Sequence, residues 1–89
     1  MKIKNGFVVE KVGAKYLAVA IGDRADEFNA LIRMNETGVF LWKALAAEDL
    51  TAEGLVDKLL SEYDVDRDRA ETDVYAFIVK LRESGLLDE

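Results

Sequence analysis

The apolar residues of this chain change their spacing once, near residue 35, and that change limits the folds available to it. Before residue 35 they alternate with polar residues or form short β-branched runs, which is typical of strands. After residue 35 they recur about every 3.6 residues, which is typical of amphipathic helices. With 89 residues and no proline, the sequence predicts one α+β domain over residues 1–89, in which a sheet precedes the helices.

Three strands are predicted in the first part. Residues 7–12 and 15–21 flank Gly13-Ala14, a two-residue connection with glycine first, which suits the type II′ turn of a hairpin. In residues 28–34 the alternation places one set of side chains on each face. The inner set is Phe28, Ala30, Ile32 and Met34, and the outer set is Asn29, Leu31 and Arg33.

Three helices are predicted in the second part. Asn35 is a suitable N-cap for the first helix, and the second opens at Thr51. The third runs from about Asp66 to Ser84 and ends at Gly85, after which two leucines fold back on the core. The predicted order is βββααα, an antiparallel sheet followed by a helical trio.

The sequence offers no residues for common metal or thiol chemistry. It contains no His and no Cys, which excludes a zinc finger, an iron–sulfur site and a Cys/His catalytic pair. Asp64, Asp66 and Asp68 begin like a calcium loop, but the sixth position is Arg69 and the twelfth is Tyr75. We therefore interpret this run as an acidic N-cap of the third helix and predict no catalytic residue, metal or cofactor.

The charge distribution disfavours some classes of binding partner. The formal net charge is -6, and residues 1–22 carry +3 while the remainder carries -9. A protein that binds the phosphates of a nucleic-acid backbone, or the headgroups of an anionic membrane, needs a basic surface. The sequence also lacks a signal peptide and the ~20 apolar residues of a membrane helix, so we expect a cytoplasmic protein that binds neither nucleic acid nor membrane.

Two aromatic residues allow two interpretations. Trp42 and Tyr63 are large enough to form a stacking platform for a ligand. Both also lie on helical faces beside Leu and Val at core spacing, so we favour a place in the core.

The predicted sheet suggests a binding mode that needs no catalytic group. A three-stranded sheet has two edges, and an open edge presents N–H and C=O groups to another strand. Peptide capture by strand addition uses this feature. From these residues alone it is one possibility among several.

Residues 34–45, Met-Asn-Glu-Thr-Gly-Val-Phe-Leu-Trp-Lys-Ala-Leu, carry a family resemblance. They resemble the L-N-x-T-(A/G)-x-x-(I/L)-W-x-x-L signature of PqqD-like proteins, the recognition elements for RiPP precursor peptides. Residues 51–56, 63–65, 73–78, 81 and 85–87 match further parts of that pattern in order. The chain departs from it at residues 46–49, where the family often has an Asp-Gly turn, and in the longer connection at residues 22–27.

The resemblance implies a winged-helix-like domain without catalytic activity. Such domains bind the leader of a ribosomally made precursor peptide, which adds as a strand along the third strand and lies in the cleft toward the third helix. They present the peptide to a modifying enzyme, commonly a radical S-adenosylmethionine (SAM) enzyme. Four or five main-chain bonds at about 0.5–1.5 kcal/mol each, with a side-chain pocket, are consistent with micromolar binding.

Carried onto this sequence, the resemblance assigns peptide-binding residues to two elements. The strand contributes Asn29, Ala30, Leu31, Ile32 and Arg33, with Leu31 and Arg33 placed to set specificity. The third helix contributes Asp73, Ala76, Phe77 and Lys80. The other flank of this helix, Tyr75, Val79 and Arg82, is left open as an alternative, and so is a purely structural role for Phe77.

Two other functions remain to be weighed. A winged-helix DNA-binding regulator requires a basic recognition helix, whereas residues 66–84 hold five acids and four bases. A homodimeric module, in which the edge strand pairs with its own copy, is compatible with leader binding as a resting state.

Overall fold

The computed structural model describes residues 1–23 and 32–89. The strands are β1 (Lys2–Ile3), β2 (Phe7–Val12), β3 (Lys15–Ala20), β4 (Ile32–Met34) and β5 (Leu87–Asp88). The helices are α1 (Glu36–Ala47), α2 (Ala52–Glu62) and α3 (Arg67–Glu83). The predicted α+β class, with a three-stranded antiparallel sheet and three helices, is confirmed. The part of the predicted third strand before residue 32 lies outside the described residues.

The main sheet has the strand order β2-β3-β4. Phe7 pairs with Ala20 and Val12 with Lys15 across the hairpin. Gly13 has a φ of 63°, the positive value that a type II′ turn requires at its first central position. Leu17 lies opposite Arg33 in the pairing of β3 with β4.

A second, two-stranded sheet joins the two ends of the described chain. Here β1 and β5 pair antiparallel, with Ile3 opposite Leu87. Two-residue strands are too short to show a period, so the sequence does not predict them. The predicted return of the last leucines onto the core is confirmed, since Leu86 and Leu87 are buried.

Side-chain caps fix where each helix begins. Asn35 Oδ1 accepts a hydrogen bond from Gly38 N at 2.9 Å, and Thr51 Oγ1 accepts one from Gly54 N at 3.0 Å. Asp66 Oδ1 accepts from Arg69 N at 2.8 Å. Each bond satisfies one of the main-chain donors that a helix leaves free in its first turn. The capping role predicted for Asp66 is therefore confirmed.

The end of α3 is a Schellman motif. Gly85 N donates to Arg82 O at 3.1 Å and Leu86 N to Leu81 O at 3.0 Å, with Gly85 at φ 74°. This arrangement satisfies the last carbonyls and turns the chain back toward the sheet. As a result, α3 ends where β5 can pair with β1.

The core lies between the inner face of the sheet and the three helices. Every described residue that is buried is apolar. Trp42 is 4% exposed and meets the Phe7 ring edge to face, with centroids 6.3 Å apart. Tyr63 is half-buried and meets Phe40 in the same way at 5.5 Å. Both aromatic residues therefore take the packing role favoured by the sequence.

Candidate functional site

A groove runs between the end of β4, the first turn of α1 and one side of α3. Its cavity volume is about 600 Å³. The lining residues are Lys15, Arg33, Met34, Asn35, Thr37, Gly38, Leu41, Arg69, Asp73, Ala76, Phe77 and Lys80. The groove therefore combines one strand end with two helices that the sequence places far apart.

Close packing at the start of α1 shapes one wall. A Cβ added to Gly38 would stand 3.1 Å from the Cβ of Met34 and 3.4 Å from Asn35 Oδ1. Because Met34 is buried, a side chain at residue 38 would require a shift of a few tenths of an ångström, so glycine lets α1 begin close to β4 without such a shift. The α1 amino terminus is consequently part of the groove.

The hydrogen-bond alternation of the sheet determines which main-chain groups of β4 are open. Ile21 N donates to Gly6 O at 2.9 Å, so in this register Leu17 exchanges its main-chain bonds with Glu10 of β2. Leu17 therefore has none left for Arg33, its partner in β4. It follows that the N–H and C=O of Arg33 point away from β3, toward the groove side of the strand.

Ile32 and Met34, the neighbours of Arg33, behave in the opposite way. Their pairs with Ala18 and Tyr16 are the hydrogen-bonded ones in this register. Both side chains are buried in the core. Within the described part of β4, Arg33 is thus the residue whose main chain is open to an additional strand.

Lys80 occupies the open acceptor. Its ammonium donates a hydrogen bond to the Arg33 carbonyl oxygen at 2.5 Å, although the two residues lie 47 positions apart. A long charged side chain laid against an edge strand is a common way to protect the edge from unwanted pairing. Here it joins α3 to β4 across the groove.

The groove is more basic than the protein around it. Its lining carries four basic side chains and one carboxylate, a net charge of +3, in a chain of net charge -6. Arg69 Nε lies 3.3 Å from Asp73 Oδ2, so the carboxylate is already paired along α3. None of the ion pairs among the described residues includes Lys15, Arg33 or Lys80.

The groove floor is apolar. Phe77 is 7% exposed, and Leu41 and Met34 are more deeply buried beside it. Phe77 therefore belongs both to the core and to the groove lining, so the two interpretations left open by the sequence are compatible. A floor of this kind accepts an apolar side chain, while the basic rim and the Arg33 main chain accept polar groups.

The structure brings together five of the nine predicted peptide-binding residues. Arg33, Asp73, Ala76, Phe77 and Lys80 all line the groove. Ile32 faces the core, and its main chain pairs with β3, so it lies beside the groove without lining it. Asn29, Ala30 and Leu31 lie outside the described residues.

The alternative flank of α3 lies elsewhere. Tyr75 and Arg82 border a separate depression of about 330 Å³, together with Thr51 and Ala52 of the α2 amino terminus. Val79 is 47% exposed and lines neither cavity. Periodicity alone does not distinguish these two sides, because both border the same buried stripe.

Sequence reasoning missed several groove residues. Asn35, Thr37 and Gly38 were considered for capping and family resemblance only, although their position directly after the strand is a signal that they lie at its end. Lys15 and Arg69 gave no such signal. Their place depends on the hairpin register and on the packing of α3, which are long-range properties.

Two further features are absent from the part of the chain that the structure describes. Across residues 1–23 and 32–89, no group of three acidic side chains is arranged to hold a metal ion. No helix within these ranges is long and apolar enough to cross a membrane.

Comparisons with known proteins agree with this geometry. TbiB1 in complex with the TbiA(beta) leader peptide is similar to this chain, with a TM-score of 0.71, 25% identity and coverage of 99% of this chain and 95% of that one. Lasso peptide synthetase B1 complexed with the leader peptide has a similar fold, with a TM-score of 0.67, 21% identity and coverage of 96% and 93%. A comparison with curated proteins finds no match.

The family comparison covers most of the chain. The model described as coenzyme PQQ synthesis protein D (PqqD) matches residues 10–87. This range includes the hairpin from residue 10 onward, β4, all three helices and every lining residue of the groove. The chain therefore belongs to the PqqD family.

Proposed function

We propose that this protein is a non-catalytic recognition domain that binds the leader of a ribosomally made precursor peptide. The leader adds as a strand to β4 and lies in the groove against α3. The observation that carries the proposal is the outward N–H and C=O of Arg33, which stand at the open edge beside the groove. A peptide strand requires such a donor and acceptor pair to extend a sheet.

The structural neighbours support this proposal. Both are complexes with a leader peptide, and both cover more than nine-tenths of this chain with the same fold. The groove lining also suits a peptide, since it combines Arg33 of the edge strand with an apolar floor at Phe77. Ile32 faces the core and pairs with β3, and the other eight predicted residues remain our assignment for the peptide site.

We further propose that the bound leader is presented to a separate modifying enzyme, for which a radical SAM enzyme is the first candidate. The groove lining offers main-chain groups, ammonium and guanidinium groups and an apolar floor, and these favour binding over bond cleavage. Its single carboxylate is engaged by Arg69, which does not favour a role as a general base.

Two alternatives give different experimental results. For a DNA-binding regulator, α3 would have to face phosphates, but its first turn exposes Asp68 beside the Asp66 cap. For a homodimer, the β4 edge would pair with a second copy, and the leader would then compete for it.

The test uses the synthetic leader encoded by a small open reading frame beside the gene, with a scrambled peptide of the same composition as control. Titration into the labelled protein should shift the amide signals of residues 32–34 and of the groove side of α3. Calorimetry should give a Kd of about 1 μM, which corresponds to a binding free energy of about -8 kcal/mol.

Three results would overturn the proposal. They are equal binding of the scrambled peptide, shifts confined to α2 and the far side of α1, and the absence of binding. An unchanged sedimentation coefficient of a dimer on leader addition would exclude competition at the edge.

A further inference from the structure

We propose that the groove selects a leader strand that carries acidic side chains, and that Lys80 is a specificity residue which exchanges the Arg33 carbonyl for a carboxylate of the bound peptide. This inference rests on the proposed function and specifies its ligand. It is drawn from the charges of the lining and from the contact between Lys80 and Arg33.

The charge distribution provides the first step. Three basic side chains of the lining, Lys15, Arg33 and Lys80, have no ion-pair partner among the described residues. They are gathered at one groove of an acidic protein. A cleft lined by one sign of charge attracts ligands of the opposite sign and raises their rate of association.

The second step concerns the acceptor that Lys80 occupies. A strand that adds to β4 must donate one of its N–H groups to the Arg33 carbonyl, and the Lys80 ammonium stands on that oxygen. The added N–H therefore competes with the ammonium for that oxygen, within a groove that the peptide is closing. An ammonium that loses its hydrogen-bond partner where water is partly excluded raises the free energy of the complex. A carboxylate of the peptide can offset this cost by pairing with the ammonium.

The third step is the arrangement of charge on both sides of the added strand. Side chains of a strand alternate between the two faces of a sheet. Those directed toward α3 meet Lys80, which reaches across from that helix. Those on the outer face lie beside Arg33, and Lys15 of β3 adds its charge to the same groove from one strand farther away. Acidic residues at either set of positions are thus matched by a basic side chain.

The experiment combines one variant with two peptides. Lys80→Met keeps the length and apolar stem of the side chain and removes its charge. Lys43→Met is the matched control, because Lys43 is exposed on α1 and does not line the groove. The probes are the synthetic leader encoded beside the gene and the same peptide with its Asp and Glu residues replaced by Asn and Gln. Binding is measured by fluorescence anisotropy at low and high salt.

We expect the wild-type protein to bind the natural leader about fivefold to tenfold more tightly than the amide version at low salt, and the difference to shrink at high salt. Lys80→Met should weaken the natural leader and leave the amide version unchanged or bound more tightly, because the Arg33 carbonyl is then free. Lys43→Met should match the wild type with both peptides.

Equal binding of both peptides by the wild type, or an equal loss with both in Lys80→Met, would overturn the inference and leave the proposed function standing. A leader without Asp or Glu in its bound segment would do the same. Failure of the natural leader to bind the wild-type protein at any salt concentration would overturn both.

Discussion

Replacing Arg33 by proline separates the main-chain role of this residue from every other role. The hydrogen-bond alternation directs the Arg33 N–H away from β3, so its loss removes no bond of the sheet. Proline is tolerated on edge strands where its missing N–H faces outward. We therefore expect Arg33→Pro to fold, with a free energy of unfolding lowered by no more than about 1 kcal/mol.

The same substitution should be severe for binding. A leader strand would find no donor at Arg33, and one of its carbonyl groups would be left unpaired at the edge. An unsatisfied group of this kind costs about 1–3 kcal/mol, which is about fivefold to more than a hundredfold in Kd. Arg33→Ala, which removes the charge and keeps the N–H, is the matched control for the side chain.

The assay is calorimetric titration of the leader into both variants, with urea unfolding of each. Equal affinity of Arg33→Pro and Arg33→Ala would refute strand addition at this residue. Unfolding of Arg33→Pro alone would refute the hydrogen-bond alternation itself. As a reference, Leu17→Pro removes a bond of the central strand and should prevent folding.

Three further predictions concern stability. Leu45→Ala should lower the free energy of unfolding by about 2–5 kcal/mol in urea titrations, because Leu45 is fully buried, whereas Val12→Ala at the exposed hairpin end should change it by less than about 0.5 kcal/mol. Asp66→Ala should cost about 1 kcal/mol by removing the cap of α3, and an equal loss in Asp64→Ala would contradict that role. The Arg82 guanidinium donates to the Glu89 carboxylate and lowers the pKa of Glu89. The stabilisation that this ion pair gives the folded state is therefore present at neutral pH and is lost as the pH falls through the folded-state pKa. Glu89→Gln should consequently flatten the acid side of the plot of urea midpoint against pH.

Much of the fold follows from local signals in the sequence. Gly13 specifies the hairpin turn, Asn35 and Asp66 mark helix starts, and Gly85 marks the end of α3, because each of these features depends on a few neighbouring residues. The alternation in the third strand also placed Ile32 and Met34 inside and Arg33 outside, as observed.

The remaining features of the fold and of the groove depend on contacts between distant parts of the chain. The pairing of β1 with β5 joins residues more than eighty positions apart through strands of two residues. The contact of Lys80 with Arg33 and the entry of Lys15 into the groove require the sheet register and the packing of α3 together. The sequence indicated one flank of α3 by resemblance, and the structure shows that this flank, not that of Tyr75, borders the groove.

The central claim, strand addition at β4, is tested most directly by amide hydrogen exchange of Arg33 with and without saturating leader. The matched reference amides are those of Val9 and Lys11, which face away from β3 on the opposite edge of the sheet in the same register. We expect exchange at Arg33 to slow by at least about tenfold when the leader binds, with the two reference amides unchanged. Slower exchange at Val9 and Lys11 with no change at Arg33 would contradict the account.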